Sequence, residues 1–163
     1  MRVRLAQIDD LPAIVDIYNQ SIPSKQSTGD TELVRVEDRM PWFREHRPET
    51  HPIFVAEVDG RIAGWCSFSA YRPGRAALRF TAEISYFIDL AHHRQGIGTA
   101  LVKHALAVCP ALQIKHVFAI VLEGNQASVK LLEKMGFEQW GYLPRVADFG
   151  GNEVGHLYYG RHL

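Results

Sequence analysis

Two hydrophobic periods alternate along this chain. Residues 2–6 alternate polar and apolar side chains, the period of a short strand. From Asp9-Asp10-Leu11-Pro12 the pattern changes: an N-cap candidate and an early proline precede Ile14, Val15, Ile17 and Tyr18 at helical spacing. Residues 21–31 are polar and irregular and predict a surface loop. Residues 36–47 predict a second helical region, in which Pro41 marks a break or a new first turn and Trp42 and Phe43 supply the apolar contact. Residues 53–58 and 61–69 are β-prone runs flanking Asp59-Gly60, a two-residue hairpin signal.

Pro73 and Gly74 place a turn over residues 71–77, and residues 81–89 form the next strand. Residues 96–108 predict a helix stopped by Pro110, and residues 116–122 a buried strand. Residues 126–135 predict a short helix whose end Gly136 suits in the left-handed conformation, with Phe137 packing back. Two strands around Gly150-Gly151-Asn152 complete the order β-α-α-β-β-β-α-β-α-β-β. That order predicts an α/β fold, a mixed sheet with helices on its faces. At 163 residues, without repeats or a dividing linker, residues 1–163 are expected to form a single domain.

Composition narrows the functional classes. Eighteen Lys and Arg balance 18 Asp and Glu, which argues against broad electrostatic binding to nucleic acid or an anionic membrane. No apolar run is long enough to span a bilayer, and the start Met-Arg-Val-Arg-Leu has no signal-peptide core. Cys66 and Cys109 lie in separate elements without metal spacing and read as small buried residues, consistent with a cytoplasmic location.

Chemistry concentrates in residues 83–106. A strand beginning at Glu83 runs through a short loop into Gly96-Ile97-Gly98 and a helix-forming sequence. A glycine turn at a helix N-terminus offers backbone N–H groups and the positive end of the helix dipole to an anion such as a pyrophosphate. A P-loop requires Gly-Lys-Ser/Thr, but Gly98-Thr99-Ala100 follows. A dinucleotide fold requires a third glycine where Leu101 stands, and an acidic residue about 20 positions on. His92-His93 suggests a metal only weakly, because successive residues seldom converge on one ion and no third ligand is evident; no metal is expected.

A third phosphate-binding pattern does match. His93-Arg94-Gln95-Gly96-Ile97-Gly98 after a glutamate-bearing strand, then Asn125-Gln126-Ala127-Ser128 and Lys134-Met135-Gly136-Phe137, resemble the GNAT N-acetyltransferases. Within that family the chain is similar to the phosphinothricin N-acetyltransferase-like subfamily. This likeness rests on Ile17-Tyr18-Asn19, Trp42-Phe43, Val55-Ala56-Glu57, Arg75 ahead of Thr81-Ala82-Glu83, and Gly141-Tyr142-Leu143-Pro144.

The resemblance implies a GNAT fold with a mixed, mostly antiparallel sheet and helices on both faces. It implies direct acetyl transfer from acetyl-CoA to a small primary amine, an amino acid or a toxic analogue of the phosphinothricin or methionine-sulfoximine type, by a homodimer. Alternatives are a protein or peptide N-terminal acetyltransferase and a non-catalytic acyl-CoA-binding module. In the resemblance, His93, Arg94, Gln95, Gly96, Ile97, Gly98 and Thr99 cradle the pyrophosphate. The main chain of Tyr86, Phe87 and Ile88 pairs with the pantetheine arm, and Asn125 and Ser128 contact the cofactor. Arg75 is the acceptor-recognition candidate.

Glu83 is the candidate base, acting directly or through water. Freeing an amine of pKa about 10 at pH 7 costs roughly 4 kcal/mol, against about 2 kcal/mol for a departing thiolate, so a base matters more than an acid. Leu132 stands where many members carry a tyrosine acid, so either water or another hydroxyl assists the thiolate. Leu78 replaces a tyrosine expected after Arg75, and His93 replaces the usual Arg or Gln.

Overall fold

The computed structural model describes residues 1–163. Its elements are β1 (Arg2–Leu5), α1 (Leu11–Ser21), α2 (Val36–Glu45), β2 (Ile53–Val58), β3 (Arg61–Ala70) and β4 (Thr81–Ile88). They continue with α3 (Ile97–Val108), β5 (His116–Leu122), α4 (Gln126–Lys134), β6 (Glu138–Asp148) and β7 (Glu153–His162). This is the order that the periodicity predicts.

The strands form one seven-stranded sheet in the order β1-β2-β3-β4-β5-β7-β6. Neighbours are antiparallel except β4 and β5, which run parallel with α3 as their crossover. The β2–β3 hairpin turns at Asp59-Gly60, where both residues have positive φ (48° and 76°), the combination a type I′ turn requires.

Helices cover both faces, as two adjacent residues show. The Trp65 indole donates to the Ile14 carbonyl of α1 at 3.0 Å, while Cys66 points the opposite way, 3.8 Å from the Leu101 carbonyl of α3. On the α1 face, Ile14, Ile17, Ile22, Val55 and Trp65 form one apolar cluster. On the other, α3 and α4 pack Leu101, Val102, Val129 and Leu132 against Phe68, Ile84 and Val117 in a larger core. A fully buried side chain such as Leu101 or Leu132 stabilises the fold by roughly 1.5–3 kcal/mol.

Pro41 neither breaks α2 nor starts a new turn; it sits inside the continuous helix. A proline there forfeits one hydrogen bond to the exposed Glu37 carbonyl region. Packing of Trp42 and Phe43 against the α1 cluster offsets that loss.

Candidate active site

The β4–α3 connection is shaped by local hydrogen bonds before any ligand is considered. Asp89 accepts from the Ala91 N–H at 2.8 Å and from His92 Nδ1 at 3.2 Å. Gln20 of α1 clamps the same corner, donating to Asp89 at 3.1 Å and accepting the Leu90 N–H at 2.9 Å. Burial opposes ionisation of Asp89, but the hydrogen bonds from Gln20, His92 and Ala91 outweigh it and hold the carboxyl below its usual range.

Beyond this corner, Arg94 and Gly96 take left-handed backbone conformations, with φ of 62° and 79°. The N–H groups of Arg94, Gln95, Gly96, Ile97, Gly98 and Thr99 find no acceptor within the protein. They form a run of free donors at the positive end of α3. His93 and Gln95 turn their side chains back, donating to the Ile88 and Ala91 carbonyls at 3.1 and 3.2 Å. Arg94 is exposed and makes no ion pair, so it is the cation left free beside the donors.

Two glycines set how close this helix end lies to the sheet. A Cβ on Gly98 would sit 3.1 Å from Leu131 of α4. One on Gly64 of β3 would meet Ile88 at 2.9 Å, the Phe87 carbonyl at 3.0 Å and Ile97 at 3.1 Å. A side chain at either position would force its neighbours to shift, at Gly64 against the Phe87 backbone as well as side-chain ends.

The strands then open. The β4–β5 pairing covers Thr81–Glu83 against His116–Phe118 and goes no further. Ile84–Ile88 stay bonded to β3, and β5 stays bonded to β7, so the two strands part. A cavity of about 260 Å³ occupies the opening. Ile84, Tyr86 and Phe87 line it from β4, Ala119 and Val121 from β5. Asn125 and Ser128 close one side. Asn125 is the N-cap of α4, its side-chain oxygen accepting the Ser128 N–H at 3.1 Å.

Glu83 sits at the last β4–β5 pair, where the strands begin to part. Its cross-strand partner Ser69 and its same-face neighbour Ser85 both line the cavity. Burial pushes the Glu83 carboxyl above the usual carboxylate range, and no cation or hydrogen bond opposes that shift. A carboxylate so placed has a heightened affinity for a proton.

Over this face of the sheet, α1 and α2 add an aromatic wall. Tyr18 lies edge-on to Phe87 (4.9 Å between centroids), Trp65 lies 5.0 Å from Phe87, and Trp42 lies 5.5 Å from Trp65. Arg39 of α2 also faces the cavity.

Sequence reasoning missed Tyr18, Arg39, Ser67, Ser69 and Ser85 as cavity residues. The spacing of Arg39 three positions before Trp42 was the one available signal, and a charged helix position reads first as solvated. Arg75 lies on the exposed β3–β4 turn, away from the cavity of its own chain. Leu132 is fully buried in the core. The Tyr86 hydroxyl is buried at the cavity beside Ser128 without a well-formed hydrogen bond, and burial pushes its pKa up to about 12. No group of three or more His, Cys, Asp or Glu side chains is arranged to hold a metal.

A profile of the Acetyltransferase (GNAT) family matches residues 11–137. This chain belongs to the GNAT acetyltransferase family. It is 43% identical to YwnH of Bacillus subtilis strain 168, a candidate phosphinothricin acetyltransferase, over 100% of this chain and 99% of that one. A crystal structure of a GNAT superfamily phosphinothricin acetyltransferase from Sinorhizobium meliloti in complex with acetyl-CoA superposes with a TM-score of 0.93 at 26% identity. That match covers 99% of this chain and 88% of the other. The ribosomal-protein-alanine N-acetyltransferase of Brucella melitensis superposes with a TM-score of 0.94 at 28% identity, over 100% of both chains. This GNAT protein is therefore an acetyl-CoA-dependent N-acetyltransferase. The free N–H groups at α3 and the unpaired edge of β4 suit an elongated, pyrophosphate-bearing co-substrate.

Proposed function

We propose that this acetyltransferase transfers the acetyl group of acetyl-CoA to the amine of a small free amino acid or amino-acid analogue, with Glu83 as general base. One observation carries this reading: a cation-free, half-buried Glu83 stands where β4 and β5 separate, beside the lining residues Ser69 and Ser85, on the strand that runs past the aromatic pocket at Phe87 towards the N–H cradle of α3. The acceptor class is supported by the named activities of YwnH and the Sinorhizobium protein.

In this reading the N–H groups from Arg94 to Thr99 hold the pyrophosphate, with Arg94 as the accompanying charge. The β4 edge at Tyr86, Phe87 and Ile88 pairs with the pantetheine arm as an added strand, and Asn125 and Ser128 contact it from α4. Glu83 takes a proton from the substrate ammonium, directly or through one water. The freed nitrogen lone pair attacks the thioester carbonyl carbon, and a β4 N–H steadies the oxygen that becomes negative. The carbon–sulfur bond then breaks, the surplus proton on the attacking nitrogen passes through water to the departing thiolate, and the neutral amide and free thiol leave. The low cost of releasing a thiolate makes the loss of a donor at Leu132 tolerable.

Measurement of thiol release from acetyl-CoA with a panel of free amino acids, simple amines and short peptides tests the acceptor class. Free amino acids should be acetylated, and Glu83→Gln should lower that rate about 10²–10⁴-fold while keeping acetyl-CoA affinity. Turnover confined to peptides would transfer the assignment to the activity named for the Brucella neighbour. A cytoplasmic homodimer completes the proposal. Trp140, Tyr142, Leu143 and Val146 are exposed on edge strand β6, apolar surface that a second copy could cover. Light scattering across a concentration series would read the mass.

A further inference from the structure

Among the residues lining the cavity, Arg39 alone carries a formal charge. It is anchored without being consumed. Its guanidinium carbon lies 4.6 Å from the centre of the Tyr18 ring and 5.7 Å from that of Trp42, so two aromatic faces fix its position. It donates no hydrogen bond to the protein. Its only carboxylate neighbour, Asp30, is 3.6 Å away through Oδ2, an oxygen that already accepts from the Tyr18 hydroxyl at 2.5 Å. Arg4 shows the contrast: Asp10 and Glu57 hold its guanidinium at 2.7 and 3.1 Å.

The guanidinium fork of Arg39 is thus oriented, 27% exposed and free of hydrogen bonds, its one ionic contact the 3.6 Å approach to Asp30, and it faces a cavity with no competing cation. A planar fork in this state matches a carboxylate through two parallel N–H···O bonds. The geometry also gives it a partner in the reaction. Ser69 pairs with Glu83, Ser67 with Ser85 and Trp65 with Phe87, so these side chains share the sheet face that α1 and α2 cover. Glu83, on that face beside the lining residues Ser69 and Ser85, therefore lies on the strand side of the cavity, and Arg39 lies on its helix side.

We propose that Arg39 binds the carboxylate of the acceptor, and so restricts this enzyme to amines that carry a free acid group. The inference rests on the small amino-acid reading above and names the residue that enforces it. It places the discriminating cation on α2 of the same chain rather than at Arg75 on the exposed turn. A peptide N-terminus, which has an amide in place of that carboxylate, gives Arg39 nothing to neutralise.

The test compares a free amino acid that the wild type acetylates with its own carboxamide, by thiol release, in wild type, Arg39→Gln and Arg39→Lys. Arg39→Gln should lower kcat/KM for the acid about 10–100-fold, chiefly through KM, and leave the carboxamide within about threefold. The variant-to-wild-type ratio cancels the lower amine pKa of the carboxamide. Arg39→Lys, which keeps the charge and loses the fork, should fall between them. Acetyl-CoA affinity, read by calorimetric titration, should not change.

An equal fall on acid and carboxamide in both variants would show a merely structural role and overturn the proposal. So would a preference for the acid that survives in Arg39→Gln. If the wild type acetylates peptides and no free amino acid, the acceptor reading itself fails and this inference fails with it. If the wild type prefers the acid and the variants do too, only the assignment to Arg39 is lost.

Discussion

Gly64→Ala tests whether close packing of α3 on the sheet is what positions the N–H cradle. The new Cβ would meet the Ile88 Cδ1 at 2.9 Å, the Phe87 carbonyl at 3.0 Å and the Ile97 Cγ2 at 3.1 Å. The isoleucine methyl at the end of Ile88 can swing aside, but the carbonyl belongs to the backbone and Ile97 is the first residue of α3. Overpacking of this kind costs about 1–3 kcal/mol. Loss of glycine's unfolded-state entropy returns about 0.4–1 kcal/mol. The net loss is roughly 1–2 kcal/mol, a fall in Tm of about 2–8 °C for a chain of this length.

With the Phe87 carbonyl fixed in the sheet, the strain that the Ile88 methyl does not absorb pushes on Ile97 and moves the helix end that carries the donors outward. Acetyl-CoA affinity should therefore fall at least tenfold, since a charge-assisted hydrogen bond contributes about 1.5–3 kcal/mol. Differential scanning calorimetry gives the first number and isothermal titration with acetyl-CoA the second. A variant that melts lower but binds acetyl-CoA as tightly as wild type would separate the packing from the cradle and refute the link. One that matches wild type in both would remove the steric premise.

Substitutions at three further positions probe the same site: Glu83 beside the cavity, and Tyr86 and Asn125 in its lining. Burial raises the Glu83 pKa, so the acid form persists at low pH and the rate should climb as pH rises through that raised value; the limb should vanish in Glu83→Gln. Because the fold favours the neutral acid, ionising Glu83 costs stability above its unfolded pKa, about 4.3. Glu83→Gln should then melt no lower than wild type at pH 7, and a lower Tm would show that the carboxylate has a stabilising partner. Tyr86→Phe removes a buried hydroxyl without a formed hydrogen bond, so Tm should hold or rise by about 2–4 °C in a thermal melt. If acetyl-CoA satisfies that hydroxyl, titration of this variant will show weaker binding. Asn125→Ala removes the α4 cap and should cost about 1 kcal/mol, whereas Asn125→Asp keeps the capping oxygen and should melt like wild type. Comparing acetyl-CoA affinity in the two isolates the amide's contact with the ligand from its work as a cap.

Local pattern determined most of the element order, because strand and helix periods, Asp59-Gly60, Gly136 and Pro110 act within a few residues of themselves. It also located the anion cradle, since a glycine turn between a strand and a helix forms its donors locally. It could not show that His93 would bend back to the Ile88 carbonyl and leave Arg94 as the free cation. Nor could it decide that α2 would run through Pro41, where tertiary packing of Trp42 and Phe43 outweighs one lost hydrogen bond.

The cavity itself belongs to the tertiary structure. It exists because β4 stays with β3 while β5 follows β7, a choice made by pairing partners far apart in the chain. The same long-range pairing brings Glu83, Ser69 and the α2 residue Arg39 to one face. Residues 39, 69 and 83 carry no shared sequence signal, so only the folded chain brings them to one face of the sheet.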